Sequence, residues 1–69
     1  MKDYKPAFVE ALGIALTYSR TGVKGLNYRK DADGFEGVTI RYSNGKERTI
    51  NVTGDSCLGI MHDVYRALV

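Results

Sequence analysis

Residues 37–52, with the sequence GVTIRYSNGKERTINV, contain the pattern that decides the fold of this chain. Apolar and polar residues alternate on both sides of Asn44-Gly45, a dipeptide that is typical of tight turns between antiparallel strands. Successive side chains of a strand point to opposite sides, so this alternation gives each strand one apolar face. The stretch therefore predicts a β-hairpin with one buried face.

The length of the turn sets which residues face each other across this hairpin. A two-residue loop would place Arg41 opposite Arg48, and like charges in that position destabilise a sheet. A three-residue loop, with Ser43 and Asn44 in a type I turn and Gly45 as the bulge, removes the conflict. It predicts three cross-strand pairs: Val38 with Ile50, Thr39 with Thr49, and Arg41 with Glu47.

A third strand is expected from Gly25 to Lys30, where Asp33-Gly34 supplies a second turn before the hairpin. The hairpin strands themselves are predicted from Gly37 to Tyr42 and from Arg48 to Val52. Side-chain parity then separates two faces of the sheet. The core face is predicted to carry Tyr28, Val38, Ile40, Ile50 and Val52. The open face is predicted to carry Asn27, Arg29, Thr39, Arg41, Glu47, Thr49 and Asn51.

Helical spacing of apolar residues predicts one helix on each side of the three strands. The first runs from about Pro6 to Arg20, with Glu10, Gly13, Thr17 and Arg20 on its polar side, and its apolar stripe is Phe8, Ala11, Leu12, Ala15 and Leu16. The second begins at a cap provided by Asp55 or Ser56. Its apolar stripe is Cys57, Ile60, Met61, Val64, Tyr65 and Leu68, and its water-facing residues are Gly59, His62, Asp63 and Arg66.

These elements follow each other in the order αβββα, which predicts an α+β fold in a single domain that spans residues 1–69. We expect a three-stranded antiparallel meander with both helices packed on one face. A chain of 69 residues has room for one core, so its stability should be modest and a homodimer would increase it. Both outer strands are sheet edges, and the sequence is compatible with either a monomer or a homodimer.

Composition favours a cytoplasmic protein and excludes several classes. Cys57 is the single cysteine, so an internal disulfide is impossible and a reducing compartment fits best. The N-terminus is polar, and no run approaches the ~18 apolar residues that a membrane span needs, so no membrane association is expected. Ten Lys and Arg against eight Asp and Glu give a net charge of +2, which by itself does not indicate a nucleic-acid-binding protein.

The stretch Gly54-Asp55-Ser56-Cys57 lies between a strand and a helix, where a nucleophile gains from helix N-terminal amides. Locally it resembles the Gly-Asp-Ser motif of one hydrolase superfamily. The late Asp and His that complete that family's triad have no counterpart, because His62 and Asp63 are consecutive residues of one helix. We interpret Asp55 and Ser56 as a helix cap and Cys57 as a small buried residue. The chain is therefore expected not to be an enzyme and to have no catalytic residue.

Two features of the sequence have some character of a metal site. The acidic loop at residues 31–36 has oxygen ligands at alternate positions before Gly34, as calcium loops do. It lacks the third ligand position and the distant bidentate Glu, so an ordinary hairpin turn is favoured. His62 is the single histidine and has no second ligand at helical spacing. We expect no metal and no cofactor.

A basic stretch supports an alternative function in nucleic-acid binding. Four cations without an intervening acid make up this patch: Arg20, Lys24, Arg29 and Lys30. The αβββα order with one bare sheet face also resembles that of double-stranded RNA-binding domains. Those domains have a lysine cluster at the start of the second helix, where this chain has residues 56–59, SCLG. In those domains the loop between the first two strands reaches a groove of the RNA. The corresponding loop of this chain carries Asp31, Asp33 and Glu36, which repel phosphate. The likeness is one of topology.

The leading interpretation is a protein-binding module: a free-standing adaptor, regulator or inhibitor that uses the open sheet face or an edge strand. Edge strands add partner strands readily, and aromatic residues with arginine are enriched at interfaces. In size the chain resembles short accessory proteins of phages and mobile elements, some of which block a host enzyme by occupying its substrate site. The candidate binding residues are Arg29, Thr39, Arg41, Tyr42, Arg48 and Thr49.

Overall fold

A computed structural model describes residues 4–68 and confirms the α+β fold and the αβββα order. Helix α1 spans Lys5–Thr17, and helix α2 spans Cys57–Leu68. The strands are β1 at Val23–Lys30, β2 at Glu36–Tyr42 and β3 at Glu47–Asn51. They form one antiparallel sheet in the order β1-β2-β3, with both helices packed against it. Neither helix is long and apolar enough to cross a membrane in the part of the chain described.

The β2–β3 hairpin has the register that side-chain parity predicts. The Tyr42 amide donates to the Lys46 carbonyl at 2.9 Å, and the Gly45 amide donates to the Tyr42 carbonyl at 3.0 Å. Gly45 has a φ of 88°, the left-handed conformation that this bulge position requires and that glycine adopts without strain. The observed pairs are Val38 with Ile50, Thr39 with Thr49, and Arg41 with Glu47.

The β1–β2 connection repeats this turn chemistry. The Gly34 amide donates to the Asp31 carbonyl at 3.1 Å, and the Asp31 amide donates to the Phe35 carbonyl at 2.9 Å. Strand β1 begins two residues earlier than predicted, at Val23, because Lys24 forms a bulge that keeps Val23 paired with Tyr42. Val23 is thereby buried with the core.

The core is a cluster of branched aliphatic side chains between the sheet and the two helices. All of its members are Val or Ile, whose stiff χ1 angles suit packing on a pleated surface. The buried residues are Val9, Val23, Val38, Ile40, Val52, Ile60 and Val64. Tyr28 and Ile50, both predicted on the core face, are half-buried against this cluster.

The buried side of α1 differs from the predicted stripe. Val9 and Gly13 are buried, whereas Ala11 and Ala15 are exposed. The prediction was therefore wrong for Ala11, Gly13 and Ala15. A Cβ on Gly13 would lie 3.0 Å from the Leu26 amide nitrogen, which shows how closely α1 lies on β1. Gly13 is therefore the point at which α1 contacts β1. The helix also ends at Thr17, three residues before the predicted Arg20.

Helix α2 begins as predicted but is rotated. Ser56 caps it, since the Gly59 amide donates to Ser56 Oγ at 3.2 Å. Met61 and Tyr65 were predicted to be in the core, yet they are 40% and 66% exposed. The reason is that α2 turns its Gly59 side, which includes half-buried Asp63, toward the protein, and its C-terminal end lies against β3. There Arg48 Nη1 donates to the Ala67 carbonyl at 3.3 Å.

Glu36 is a buried charge that ties four parts of the chain together. Its carboxylate accepts from Lys5 Nζ at 2.8 Å, from the Tyr28 hydroxyl and from the Gly54 amide at 3.0 Å. The hydrogen bonds from Lys5, Tyr28 and Gly54 lower the pKa of Glu36 to about 2. Glu36 thus differs from the rest of the acidic loop, because it points to the helix side and has its partners there.

Candidate functional site

The open sheet face is a three-by-three array of positions, one column for each strand. The register sets its rows. The first row is Arg29, Gly37 and Asn51; the second is Asn27, Thr39 and Thr49; the third is Gly25, Arg41 and Glu47. The middle row is joined by a hydrogen bond between the Thr39 and Thr49 hydroxyls at 2.9 Å. No helix covers this side of the sheet in the part of the chain described, because α1 and α2 both pack on the other.

An aromatic ring lies on this face where the strand has a glycine. A Cβ on Gly37 would be 2.8 Å from Phe35 Cε2 and 3.4 Å from the Thr49 methyl. The Phe35 ring therefore occupies the space that a Gly37 side chain would take, and it remains 36% exposed. Our sequence reasoning missed Phe35. The available signal was its spacing of two from a strand glycine, since an aromatic neighbour can cover such a position.

The two arginines of the open sheet face, Arg29 and Arg41, differ in whether a carboxylate lies beside them. Arg41 Nε lies 3.7 Å from Glu47 Oε2, and both side chains are more than half exposed, so the pair is weak. Within residues 4–68, no carboxylate lies within ion-pair distance of Arg29. The open face therefore has a polar threonine row at its centre, with Arg29 and the Phe35 ring at one end and Arg41 at the other, and only the Arg41 end is partly neutralised.

The structure divides the predicted binding residues into two groups. Arg29, Thr39, Arg41 and Thr49 lie together on the open face. Tyr42 and Arg48 have the opposite parity and lie on the helix side. Tyr42 is half-buried beside the core, and Arg48 is held at the end of α2.

The predicted nucleic-acid patch is spread out. Arg20 lies in the turn after α1, and Lys24 forms the bulge at one end of β1. Arg29 and Lys30 lie at the other end, roughly 20 Å away at the rise of a strand. They also point to opposite sides of the sheet, because they are consecutive. A different group of cations does converge, since Lys24, Arg41 and Lys46, together with Glu47, line a shallow depression of about 80 Å³ at the β2–β3 turn.

A second surface lies on α2, where an open groove of about 660 Å³ is lined by both polar and apolar side chains. Ser56 and His62 line it, but Ser56 Oγ accepts a hydrogen bond from the Gly59 amide as a helix cap.

Asp55 and Asp63 are neighbours in the α2 groove. The pKa of Asp55 is raised above its ordinary value, mainly by a hydrogen bond with Asp63 and to a smaller extent by burial. No cluster of three metal-ligating side chains occurs within residues 4–68.

The outward side of the helical layer is unusually apolar. Six large apolar side chains at or beside the helices are 40–87% exposed: Tyr4, Ile14, Tyr18, Leu58, Met61 and Tyr65. We name these six residues the outer helix face. They lie opposite the sheet, so this face and the open sheet face are on two different sides of the molecule.

Comparisons with known protein families, with curated proteins and with solved structures found no significant match to this chain. Functional inference therefore rests on the chemistry of the surfaces described above.

Proposed function

We propose that the protein is a non-enzymatic binding module, and that a partner protein docks on its open sheet face. The observation that supports this most is the exposed Phe35 ring on Gly37, beside Arg29 in the same row, with Arg41 at the far end of the same face. Aromatic residues and arginines carry a large share of binding energy at protein interfaces, where a central apolar contact is surrounded by polar groups.

The face is also prepared for binding without rearrangement. Its positions belong to a hydrogen-bonded sheet, and the Thr39–Thr49 hydrogen bond fixes two side chains between the strands. Rigid surfaces lose less conformational entropy when a partner docks. Arg29 and Arg41 favour a partner with an acidic surface, because charge complementarity speeds encounter and orients the complex.

The size of the face indicates that the partner extends past it. Three strands about 4.8 Å apart and five residues long present roughly 250 Å². A standard interface buries about 800 Å² on each side. We propose that the partner also contacts the edge of β3, where Glu47, Arg48 and Thr49 are exposed. The edge of β1 fits less well, because a bulge and a lysine at Lys24 are features that discourage strand addition.

An adaptor, regulator or inhibitor of cytoplasmic proteins fits this surface, including one of the phage or mobile-element type. Cytoplasmic location is part of the proposal. It is supported by Cys57, a half-buried free thiol that a reducing compartment would preserve.

The test is a capture experiment from a cell lysate, with the tagged protein, the variant Arg29→Glu with Arg41→Glu, and the variant Phe35→Ala. We expect a discrete protein partner to be retained by the unmodified protein after nuclease treatment. Both variants should lose at least tenfold in recovery of that partner, since truncation of a central contact typically costs more than about 1.4 kcal/mol.

The matched control is Arg20→Glu with Lys30→Glu, which changes the net charge equally but leaves the open face intact. It should retain the partner. Equal loss in both charge variants would indicate non-specific electrostatic attraction and contradict docking on the open face. Circular dichroism of every variant excludes loss of the fold as the cause.

Nucleic-acid binding is the second candidate, and one observation favours it. Lys24, Arg41 and Lys46 converge at the β2–β3 turn, where they can contact phosphates. This function predicts a linear fall of log affinity with log salt, with a slope of about −2 to −3 if two or three phosphates are neutralised. Salt titration with single- and double-stranded RNA and DNA probes distinguishes it from protein binding.

A further inference from the structure

The outer helix face is too large and too apolar to be ordinary surface. On the α1 side, residues at positions 4, 7, 11, 14 and 18 follow helical spacing, and all of them are Tyr, Ala or Ile. Each of them is exposed. Helix α1 is therefore apolar on its outward side as well as on its buried side, a pattern that belongs to a helix covered on both. Leu58, Met61 and Tyr65 continue the surface on α2.

The exposed area matches one half of a small dimer interface. If each of these large residues offers about 150–200 Å², the exposed fractions of the six leave roughly 580–770 Å² of mainly apolar surface in water. Stable interfaces of standard size bury about 800 Å² on each partner. The α2 groove adds a concave part, lined by Leu58, Met61 and Tyr65, that an apolar side chain of α1 can enter.

Charge is arranged on the two flanks of this surface in a self-complementary way. On α1, Phe8 and Leu12 are half-buried on one flank and Glu10 is exposed on the other, so we place Glu10 on the flank away from α2. On α2, Arg66 lines the depression beside β3, so it lies on the flank away from α1. The surface therefore runs from an acidic flank, across apolar side chains, to a basic flank.

We propose that two copies of this chain pair through the outer helix face in a twofold-symmetric dimer. A twofold axis parallel to the helices places α1 of each copy on α2 of the other. Glu10 of each copy then faces Arg66 of the second copy, and the acidic and basic flanks meet twice. A second copy is the partner that this surface itself supports, because its Glu10 and Arg66 have charges complementary to those of the first copy.

The dimer has a consequence for valency. With the helical layers paired, the two open sheet faces point away from each other, and each remains free to dock. Linked sites increase apparent affinity for a partner that presents two epitopes. The dimer itself does not depend on the proposed function, because it uses the opposite side of the molecule.

Sedimentation equilibrium and light scattering of the purified chain test the proposal. We expect a mass of twice 7.6 kDa at high concentration, with dissociation in the micromolar range for an interface of this size. The variant Ile14→Glu with Leu58→Glu should be monomeric at 200 μM. Both residues are more than half exposed, so circular dichroism should show an intact fold. The control Arg29→Glu with Arg41→Glu should still dimerise.

A charge swap separates this pairing from general stickiness. At 50 mM salt, Glu10→Arg alone and Arg66→Glu alone should each weaken dimerisation about fivefold or more, and the double swap should restore it. A wild-type chain that is monomeric at 200 μM, a dimer that persists in Ile14→Glu with Leu58→Glu, or a double swap without recovery would each overturn the proposal. So would a wild-type monomer whose outer helix face binds a different protein.

Discussion

Glu36 determines more of this structure than any other charged side chain described. It is 5% exposed and joins the start of α1, β1, β2 and the loop before α2 through Lys5, Tyr28 and Gly54. Its role was not predictable from spacing, because Lys5 lies 31 residues away and local sequence shows only an acid beside a turn. Phe35 was closer to prediction, since its glycine partner is two residues away.

Replacement of Glu36 by Gln should reveal this role through pH. The variant removes the charge of the buried carboxylate and its ion pair with Lys5, so we expect a loss of about 2 kcal/mol in unfolding free energy at pH 7. Because folding lowers the pKa of Glu36 from 4.5 to about 2, its stabilisation is complete above pH 4.5 and disappears as the pH falls toward 2. Urea unfolding at several pH values measures both.

The exposed Glu47→Gln is the matched control and should change stability by less than about 0.5 kcal/mol. A Glu36→Gln deficit that stays constant from pH 7 to pH 2 would contradict the assignment of a buried, paired carboxylate.

Asp55 should show the opposite pH dependence. Asp55 Oδ2 is buried without a hydrogen-bond donor in residues 4–68, and the bond to Asp63 forms only when one of the two carboxyls is protonated. A raised pKa in the folded state means that stability falls as the pH rises through it. We therefore expect Asp55→Asn to raise the melting temperature at pH 7 and to have no effect below pH 3.8. The exposed Asp33→Asn should have no effect at either pH, and a lower melting temperature for Asp55→Asn at pH 7 would be contrary evidence.

At the scale of elements, the strands were predictable and the helix faces were not. Strand register follows from local information, namely the glycine of the turn and the charges of Arg41, Glu47 and Arg48. The rotation of α1 depends on where β1 presents Leu26, which is a contact between distant segments. Because α1 is apolar on both sides, its sequence gave no preference between them. Met61 and Tyr65 on α2 were misplaced for another reason, since that helix turns its Gly59 side toward the protein.

Gly13→Ala tests the contact between α1 and β1. In an isolated helix this change is stabilising by about 1 kcal/mol. Here the added Cβ would lie 3.0 Å from the Leu26 amide nitrogen and 3.3 Å from Leu26 Cβ, so the helix must move away from the strand. We expect a net loss of about 1–2 kcal/mol in chemical denaturation.

The comparison variant is Ala15→Gly, which is exposed, lies outside the apolar positions 4, 7, 11, 14 and 18, and should lose about 1 kcal/mol through helix propensity alone. Opposite substitutions one half-turn apart should thus both destabilise the protein. A stabilised Gly13→Ala protein would mean that α1 does not lie this close to β1.

At the scale of the whole molecule, the small core and the exposed helical layer belong together. Seven buried Val and Ile side chains form the described core. A chain of 69 residues is too short to cover the apolar outer helix face with a further element of its own fold, so that face stays in water. Pairing through the outer helix face would add buried area without a longer chain. The two sides of the molecule then have separate roles, with self-association on the helices and partner docking on the sheet.

The thermal midpoint should therefore depend on protein concentration. Coupled dimerisation and folding raise the midpoint as concentration increases, by several degrees over a hundredfold range. Scanning calorimetry at 5 μM and 500 μM measures this. The variant Ile14→Glu with Leu58→Glu should have the same midpoint at both concentrations, and a concentration-independent wild type would be inconsistent with the dimer.

The most direct test of the account is site-specific photo-crosslinking in cells. A benzoylphenylalanine at Thr49 would report the contacts of the open sheet face, and one at Leu58 would report those of the outer helix face. We expect Thr49 to crosslink to a different protein and Leu58 to crosslink to a second copy of this chain. Crosslinks from Thr49 to nucleic acid, or a partner protein captured at Leu58 and absent at Thr49, would contradict the assignment of the open sheet face as the docking surface.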